Sequence, residues 1–450
     1  MHGLLWLWLL GDAWLAGPAS TRLALGELSA GSVDARRFPG VPASHAPRGG
    51  RIWWVAPGGK GDGASAAAPS GDLARAVRAA SKGDTVWVRQ GRYVVAPQDD
   101  EWALRIERAD VTVAAPPGER AVVVPAQPGA TGYGLLVTGD RAFVDGLSLE
   151  GFKSAGVYFG REGSPQEGLV LARLSVRGGT DGVRSLPVAA DRSRPLVRGL
   201  LAVELRIVGA AIGFNCGEGP CDDVRLERIT VRGSDHKSGN SGEDAIAFEQ
   251  GNNVAIVDGE VSGAGADGVD LKVKHAAVVR TAVRGVGRNG IKLWHGGEIL
   301  GCVVYRTGAD AAIVLDDAGD YRIAGTTVAG HGRGGEAYTL TAGYDHPRAR
   351  GRLAIERSLF LDNGGPLWVS GGLSLTLSDV WLARTRGGVA LVWARSPEVR
   401  VREMPADAKI LPSAKGLRLG GNPALRDARH GDYRTLGAPA IGTALGPPRD

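Results

Sequence analysis

Carboxylates and lysines recur at fixed offsets from the apolar centre of a short repeat in the middle of the sequence. Asp244 and Asp267 stand two positions before successive centres. Asp270 and Lys292 stand one position after successive centres. Carboxylate oxygens are the ligands that Ca²⁺ prefers, and a lysine whose pKa is lowered by a nearby cation can take up a proton. These residue types together predict proton abstraction next to a carboxylate whose charge a metal ion neutralises.

The use of lysine supports this prediction. The chain contains 53 lysines and arginines, of which only nine are lysines. Three of these nine, Lys272, Lys274 and Lys292, fall within 21 residues. Arginine serves equally well on a solvated surface, whereas lysine gives up its proton far more readily. Lysine at these positions therefore indicates function.

Other charged residues near the repeat are weaker candidates. Arginines can bind substrate carboxylates by bidentate contacts, and the nearest are Arg280, Arg284, Arg288 and Arg306. Three acidic residues, Glu249, Asp316 and Asp317, are expected on the solvated face of a strand. A hydrolase would need two carboxylates flanking the scissile bond. The adjacent pair Asp316–Asp317 offers the only such acids on a neighbouring coil.

Uronic-acid chemistry suits a set of carboxylates with a lysine. Removing the proton next to a carboxylate is slow, because negative charge accumulates on a group that is already charged. A calcium ion held by aspartates would neutralise that group, and Lys292 would take the proton. Elimination of the 4-linked sugar would make the protein a lyase, whereas re-protonation from the other face would make it a C5-epimerase. A non-catalytic carbohydrate-binding or surface protein with a degraded site is the third alternative.

An internal repeat must position these residues. Each copy has a small residue followed by a β-branched one, as in Gly268-Val269. The centres Ile246, Val269, Ile291 and Ile313 lie 23, 22 and 22 residues apart. Two more strand-like segments separate successive copies, and three short strands per coil are typical of a right-handed parallel β-helix. We therefore expect an all-β solenoid with inward Val, Ile and Leu, and with glycine at corners that need positive φ.

An amphipathic helix is predicted near the N-terminal end of the repeat, after a first strand at Ile52–Val55. Ser70 would cap this helix, and Leu73, Val77 and Ala80 share one of its faces. A helix that covers the open end of the first coil would keep the solenoid soluble. We therefore expect an N-terminal capping α-helix.

Both ends of the repeat resemble the pectate-lyase-like β-helix superfamily. The resemblance is carried by the segment from Ile52 to Val88 and by the segment from Asn422 to Gly442. It covers about residues 51–445 and implies the β-helix fold, but β-helices host lyases, hydrolases, epimerases and inert adhesins. Function must therefore be argued from the site.

Two runs in the middle resemble a narrower group, the family-nine pectate lyases. They are Ala266-Asp267-Gly268-Val269-Asp270-Leu271-Lys272 and, one coil later, Asn289-Gly290-Ile291-Lys292-Leu293. The family carries an Asp-Asp-Gly-Phe-Asp run that binds calcium and an Asn-Gly-Phe-Lys-Leu run whose lysine is the base. The resemblance implies that Asp267 and Asp270 are calcium ligands, that Lys292 is the base, and that Asp244 is a further ligand.

The chain departs from the family pattern at three positions. Ala266 replaces the first aspartate, which removes one ligand, and Trp294-His295 replace small glycines. Trp294 could stack on a sugar ring or fill a gap between coils, and His295 could assist proton transfer. Together with Lys272, these two residues are our candidates for substrate binding.

Composition limits the class of protein. Glycine accounts for 70 of 450 residues, but no strict three-residue period occurs, which excludes collagen. A hydrophobic content of 43% and a net charge of +5 argue against disorder. The pI near 9.2 favours an acidic partner. No basic block is long enough for a nucleic-acid arm, so we expect the acidic partner to be a polysaccharide. We also expect a monomer, with Ca²⁺ as its only cofactor.

The N-terminal residues predict export. An apolar run, Leu4–Ala16, is followed by small residues, so residues 1–20 have the form of a signal peptide. This run is too short to span a membrane, and no later segment is more apolar. We expect a secreted, periplasmic or cell-surface protein in which residues 21–50 form a linker and residues 51–445 the β-helix domain.

The three cysteines have separate predictions. Cys216 and Cys221 bracket the turn-forming sequence Gly-Glu-Gly-Pro and could close a small disulfide loop. Cys302 lies in an apolar run, where a buried, inert thiol is expected. The disulfide agrees with an oxidising compartment.

Overall fold

The structure is a computed structural model. It describes residues 33–41, 49–96, 102–127, 129, 132–187, 193–233, 243–332, 337–346, 348–395, 398–403, 414–421, 423, 425–427, 432–435 and 442. The expected signal peptide, residues 1–20, lies outside the described residues, as do most of the expected linker and much of the C-terminal segment that carries the resemblance.

The chain divides into two compact units. Among the described residues, unit 1 comprises Asp34–Gly233 and Glu249–Gly251, and unit 2 consists chiefly of residues 243–248 and the chain from Asn252 onward. A 3₁₀-helix (Ala35–Arg37) and the helix α1 (Leu73–Ala79) belong to unit 1. The boundaries of a single domain over residues 51–445 stay a prediction.

Short strands make up most of unit 1. They are β1 (Ile52–Val55), β2 (Lys60–Ser65), β3 (Ala68–Ser70), β4 (Thr85–Val88), β5 (Gly91–Val95), β6 (Trp102–Ile106), β7 (Thr112–Ala114), β8 (Ala121–Pro125), β9 (Tyr133–Val137), β10 (Phe143–Asp145), β11 (Leu147–Glu150), β12 (Ala155–Phe159), β13 (Gln166–Ala172), β14 (Ser175–Arg177), β15 (Asp181–Ser185), β16 (Val197–Val203), β17 (Arg206–Val208), β18 (Ile212–Cys216), β19 (Cys221–Glu227) and β20 (Thr230–Arg232).

Unit 2 is built in the same way, with two long strands, β24 and β26, at its beginning. Its strands are β21 (Ile246–Phe248), β22 (Gly251–Val257), β23 (Glu260–Ser262), β24 (Val269–Val279), β25 (Ala282–Arg284), β26 (Ile291–Leu300), β27 (Val303–Tyr305), β28 (Ala311–Leu315), β29 (Gly319–Ala324), β30 (Thr327–Ala329), β31 (Tyr338–Ala342), β32 (Gly351–Glu356), β33 (Leu359–Leu361), β34 (Leu367–Ser370), β35 (Leu373–Ser378), β36 (Trp381–Ala383), β37 (Val389–Ala394), β38 (Val399–Arg402), β39 (Ala414–Lys415), β40 (Arg418–Leu419), β41 (Leu425–Asp427) and β42 (Asp432–Thr435).

Strands one coil apart pair in parallel and in register within each unit. In unit 2, Val269 pairs with Ile246 and with Ile291, and Ile291 pairs in turn with Ile313. In unit 1, β12 pairs in the same way with β9 and β15. A separate parallel ladder in unit 2 joins β25, β27, β30, β33 and β36. The parallel β-helix predicted from the repeat is confirmed in each unit.

The apolar centres of the repeat form the core of unit 2. The side chains of Ile246, Val269, Ile291 and Ile313 are all fully buried. Burying one such side chain stabilises the fold by roughly 1.5–3 kcal/mol. Because side chains alternate along a strand, the residues next to these centres must point out of the coil.

Glycine precedes two of these centres, at Gly268 and Gly290, and is needed there for space rather than for backbone conformation. A Cβ at Gly290 would lie 2.4 Å from Val304 Cγ1 and 2.6 Å from the carbonyl oxygen of Ala312. Gly268 has the corresponding contacts, and neither glycine has a positive φ. At these two positions the next coil packs directly on the backbone. The expectation of positive φ concerned corner glycines and is confirmed there, as at Gly285, which follows β25 with a φ of 58°.

Arginine and aspartate, as well as glycine, occupy corners of the coils where the backbone has a positive φ. Asp258 and Arg280, with φ of 55° and 45°, are stacked one coil apart, and two guanidinium nitrogens donate to the carboxylate at 2.7 Å. Other arginines near the repeat are paired in the same way, namely Arg284 with Glu260 and Arg288 with Asp310. Three of the four arginines considered for substrate binding thus hold neighbouring coils together.

The helix α1 begins two residues later than expected. Its N-cap is Asp72, whose carboxylate accepts from the backbone N–H of Arg75, whereas Ser70 ends strand β3. The Ser70 hydroxyl accepts instead from the N–H of Asp72. Leu73 and Val77 are buried as predicted. That α1 covers the end of the first coil stays a prediction.

The disulfide and the buried free thiol predicted from the sequence are both confirmed. Cys216 and Cys221 form a disulfide in unit 1. Cys302 is a free, fully buried thiol in unit 2, and burial raises its pKa to about 12. It is therefore unreactive at neutral pH. Among the described residues, no helix is both long and apolar enough to cross a membrane.

Replacing Gly290 with alanine should lower the stability of the protein by about 1–3 kcal/mol, because the added methyl group overlaps Val304 and Ala312. Thermal or denaturant unfolding measures this difference. Gly40→Ala is a matched control, since a Cβ at Gly40 meets nothing within 4 Å. Equal destabilisation by both substitutions would contradict the packing argument.

A second prediction concerns His331, which is 1% exposed. Its Nδ1 lies 2.7 Å from Thr307 Oγ1, and its Nε2 is buried without a hydrogen-bond partner among the described residues. Burial lowers the pKa of His331 below its ordinary value, although Asp310 opposes this. The folded state favours the neutral ring of His331. The contribution of this histidine to the free energy of unfolding is therefore fully present above the unfolded pKa of about 6.5, where the ring is neutral in both states.

We expect that stabilisation to be lost as the pH falls from about 6.5 towards the lower folded pKa, with a slope of at most about 1.4 kcal/mol per pH unit. His331→Gln should flatten this part of the stability–pH curve relative to the unmodified protein. Unfolding experiments between neutral and mildly acidic pH measure both slopes. Identical slopes would show that His331 does not titrate during unfolding.

Candidate active site

Three consecutive coils at the start of unit 2 bring the predicted site residues together. Asp270 of β24 and Lys292 of β26 are direct neighbours in the parallel ladder, because their strands pair in register. Asp244 and Asp267 lie in the turns that precede β21 and β24. The repeat thus collects residues that are up to 48 positions apart in sequence.

The aspartates before the strands have a structural role that the sequence did not reveal. One carboxylate oxygen of Asp244 accepts from the backbone N–H of Asp267 at 2.9 Å. Asp267 accepts in turn from the backbone and side-chain nitrogens of Asn289 at 3.0 and 2.9 Å. Asn289 continues the ladder by accepting from the N–H of Ala311 at 3.0 Å. The carboxylates of Asp244 and Asp267 are each held by hydrogen bonds to one oxygen, which leaves the other oxygen available to a ligand.

Asp244, Asp267 and Asp270 form a compact acidic cluster. Each offers a carboxylate oxygen, and these oxygens lie within 4.8 Å of one another. Asp267 and Asp270 are only 3% and 4% exposed, and Asp244 is half-buried. Hard oxygen donors at this spacing are what Ca²⁺ takes, with water or substrate oxygens completing its six to eight ligands. The donor set therefore fits calcium.

The electrostatics of the cluster favour a cation. Burial and the charge of Asp267 raise the pKa of Asp244 to about 7. Burial raises the pKa of Asp270 to about 6, although the ammonium groups of Lys272 and Lys292 oppose this shift. Carboxylates crowded out of water hold their charges at a cost. Positive charge placed among them would relieve that cost.

Trp294 connects the lysines to the cluster. Its indole Nε1 donates to Asp270 Oδ1 at 2.8 Å. The ammonium groups of Lys292 and Lys272 lie over its ring, at 4.4 and 5.4 Å from the centroid. Lys272 Nζ is also 3.6 Å from Asp270 Oδ2. These contacts place Trp294 among the charged groups of the site, and its expected role in stacking on a sugar ring or filling a gap stays a prediction.

His295 lies apart from these contacts. Its Nδ1 is 3.3 Å from Asp317 Oδ2, and 41% of its side chain is exposed. It forms no hydrogen bond or ion pair with the acidic cluster within the part of the chain that the structure describes. Its predicted role in substrate binding or proton transfer therefore stays a prediction.

Asp316 is a site residue that sequence reasoning placed wrongly. We expected it on a solvated face, but it is only 3% exposed, whereas Asp317 keeps 42% of its side chain exposed. Burial raises the pKa of Asp316, and the charge of Lys292 opposes this shift. The backbone N–H of Asp316 donates to the carbonyl of Leu293 beside Trp294. Its offset from the repeat centre does not indicate this burial, because Lys272 and Trp294 stand at the same offset and are only half-buried.

Comparison with known proteins gives matches among solved structures alone. No protein-family model and no curated protein matches the chain. The chain is similar to pectate lyase Pel9A, with 18% identity and a TM-score of 0.45 over 73% of this chain and 78% of that chain. At this TM-score the similarity supports no conclusion about fold or activity, and the parallel β-helix is established by the strand pairing of this chain.

Two other solved structures are similar. A rhamnogalacturonan lyase has 10% identity and a TM-score of 0.36, over 88% of this chain and 96% of that chain. The catalytic unit of a thermostable GH87 α-1,3-glucanase from Streptomyces thermodiastaticus strain HF3-3 has 14% identity and a TM-score of 0.33, over 79% of this chain and 71% of that chain.

Adding Ca²⁺ should stabilise the folded protein, because the ion would bind the cluster only when the coils are paired. At a concentration about 100 times the dissociation constant, the expected gain is about 2.7 kcal/mol. Asp244→Asn should reduce this gain, since an amide keeps the acceptor for the N–H of Asp267 but loses the charge. Thermal unfolding with and without CaCl₂ at constant ionic strength provides the measurement.

Asp320→Asn is the control for this experiment, because Asp320 is an exposed aspartate that pairs with Arg352. It should leave the calcium-dependent shift unchanged. A shift that is absent in the unmodified protein, or equal in both variants, would show that the cluster does not bind calcium.

Proposed function

We propose that the protein is a secreted polysaccharide lyase that cleaves an acidic, uronate-containing polysaccharide by calcium-assisted β-elimination. One observation carries the proposal: Lys292 is the in-register neighbour of Asp270 in a cluster of three carboxylates. A candidate base and a candidate metal site thus occur side by side on the outer face of one ladder.

In this proposal, Asp244, Asp267 and Asp270 hold the calcium ion. When bound, the ion neutralises the uronate carboxylate and stabilises the negative charge that develops as the proton leaves. The cluster's hydrogen-bond ladder keeps the three carboxylates in place, so little reorganisation is needed when substrate binds.

Lys292 takes the proton from C5 of the uronate. The uncharged amine of Lys292 is the form that accepts this proton. The ring of Trp294 limits where the amine can lie, because the ammonium of Lys292 packs over it. Loss of the 4-linked sugar then leaves an unsaturated uronate at the new end of the polymer.

Export follows from the same reasoning, since a polymer substrate is met outside the cell. Residues 1–20 would direct secretion, and the disulfide between Cys216 and Cys221 suits an oxidising compartment. A periplasmic or cell-surface location satisfies both conditions equally.

Lys292→Ala should reduce the rate of β-elimination by about 100- to 10,000-fold, which is the usual contribution of a general base. The ultraviolet absorbance of unsaturated uronate products measures the rate on a panel of uronate polymers, with Ca²⁺ and with a chelator. Lys82→Ala is the control, because Lys82 is an exposed lysine outside the candidate site. It should leave the rate unchanged.

Other outcomes would identify a different function. Proton exchange at C5 without chain cleavage would indicate the C5-epimerase. Binding of the polymer without either reaction would indicate a non-catalytic carbohydrate-binding protein, consistent with the aspartate missing at Ala266. Equal rates for Lys292→Ala and the unmodified protein would contradict the role of this lysine.

A further inference from the structure

Unit 2 carries a second surface with the chemistry of a sugar-binding site. An open depression of about 630 Å³ is bounded by Arg350, Trp368, Arg395 and the small residues Ser370–Gly372. This volume lies in the range of small-molecule sites. None of these residues belongs to the acidic cluster or contacts Lys292.

Aromatic rings form one side of this surface. Tyr344 is 47% exposed, which is unusual here for a large aromatic side chain. Its ring packs edge-on against Trp368, with centroids 4.9 Å apart, and tilts against Tyr338 at 5.3 Å. These mutual contacts hold Tyr344 and Trp368 in place, although neither is buried in the core. Rigid aromatic faces of this kind pack against the C–H-rich faces of pyranose rings.

Two exposed arginines supply positive charge at the same place. Arg350 donates only to the backbone carbonyls of Arg348 and Ala349, and the guanidinium of Arg395 lies 3.9 Å over the ring of Trp393. Neither forms an ion pair with a carboxylate among the described residues. This sets them apart from the arginines nearby that pair with acids, namely Arg322, Arg352 and Arg384. A free guanidinium prefers a carboxylate as its partner.

Asp345, the acid beside Tyr344 in the chain, does not neutralise these arginines. Asp345 follows Tyr344 directly in the chain, and its charge acts on the buried Asp316. It forms no ion pair with Arg350 or Arg395 in the described part of the chain. The surface therefore keeps a net positive character beside exposed aromatic rings.

Strand register relates this surface to the candidate active site. Lys292 pairs with Val314, Val314 pairs with Thr341, and Thr341 pairs with Trp368. Trp368 is thus three strands from Lys292 in the same column, or about 14 Å along the ladder. A linear polymer that follows this column passes both places.

We infer that Tyr344, Trp368, Arg350 and Arg395 form a distal subsite for a uronate residue of the polysaccharide. The sugar ring packs on Tyr344 and Trp368, and its carboxylate pairs with a guanidinium group. The subsite holds a part of the chain several sugars away from the reacting bond. This inference rests on the proposed function for the identity of its ligand, although binding and cleavage are measured separately.

The test uses the full-length protein with Lys292→Ala, which prevents turnover, and measures binding of a uronate polymer by calorimetry. Adding Tyr344→Ala together with Arg350→Ala should weaken binding by about tenfold or more. Adding Arg352→Ala instead is the control, since Arg352 is equally exposed but already pairs with Asp320. A neutral polymer should bind weakly to all of these variants.

A second measurement separates the subsite from general damage. In the background with Lys292 intact, Tyr344→Ala should raise KM for the polymer and leave turnover of a disaccharide unchanged, because a disaccharide is shorter than the distance from Lys292 to Trp368. Unchanged polymer binding, or a loss equal to that of Arg352→Ala, would overturn the subsite.

The two proposals fail in different ways. If no unsaturated product forms but Tyr344→Ala with Arg350→Ala still weakens polymer binding, the subsite holds and the lyase proposal fails. If product forms and these substitutions change neither binding nor KM, the lyase proposal holds and the subsite is wrong.

Discussion

In-register pairing of parallel strands one coil apart is the constraint on which both the fold and the candidate site depend. Backbone N–H and C=O groups must be paired when they are buried, and the buried side chains of Val269 and Ile291 fix which residues face each other. A slip of one residue would turn these side chains outward and Asp270 inward. The same register that fills the core therefore places Asp270 beside Lys292.

Stacking at one strand spacing also brings charged side chains of neighbouring coils close together, and their charges are compensated in two ways. At the corners, Asp258 faces Arg280, so opposite charges alternate from coil to coil. In the cluster, carboxylates stack on carboxylates, and the compensating groups are backbone N–H groups, the indole of Trp294 and the ammonium of Lys272. Incomplete compensation is expected at functional sites rather than in structural ladders.

The sequence pattern was sufficient to predict the coils and the column that joins Asp270 to Lys292, because both follow from the period of the repeat and the alternation of side chains. It was not sufficient for Asp316, whose burial depends on how the chain turns after β28. The N-cap of α1 was also missed, since Ser70 and Asp72 are both good caps and only the end of β3 decides between them. The need for glycine at Gly268 and Gly290 was not predicted, because close approach of a neighbouring coil is not visible in local sequence.

Ala266 and Trp294 have a joint consequence for the proposed chemistry. Ala266 is apolar and buried and offers no ligand, and one oxygen of Asp270 is already bonded to the indole of Trp294. A calcium ion held by so few protein oxygens must take more of its ligands from water and from the uronate itself. Calcium and substrate would then each strengthen the binding of the other, because linkage between two ligands is reciprocal.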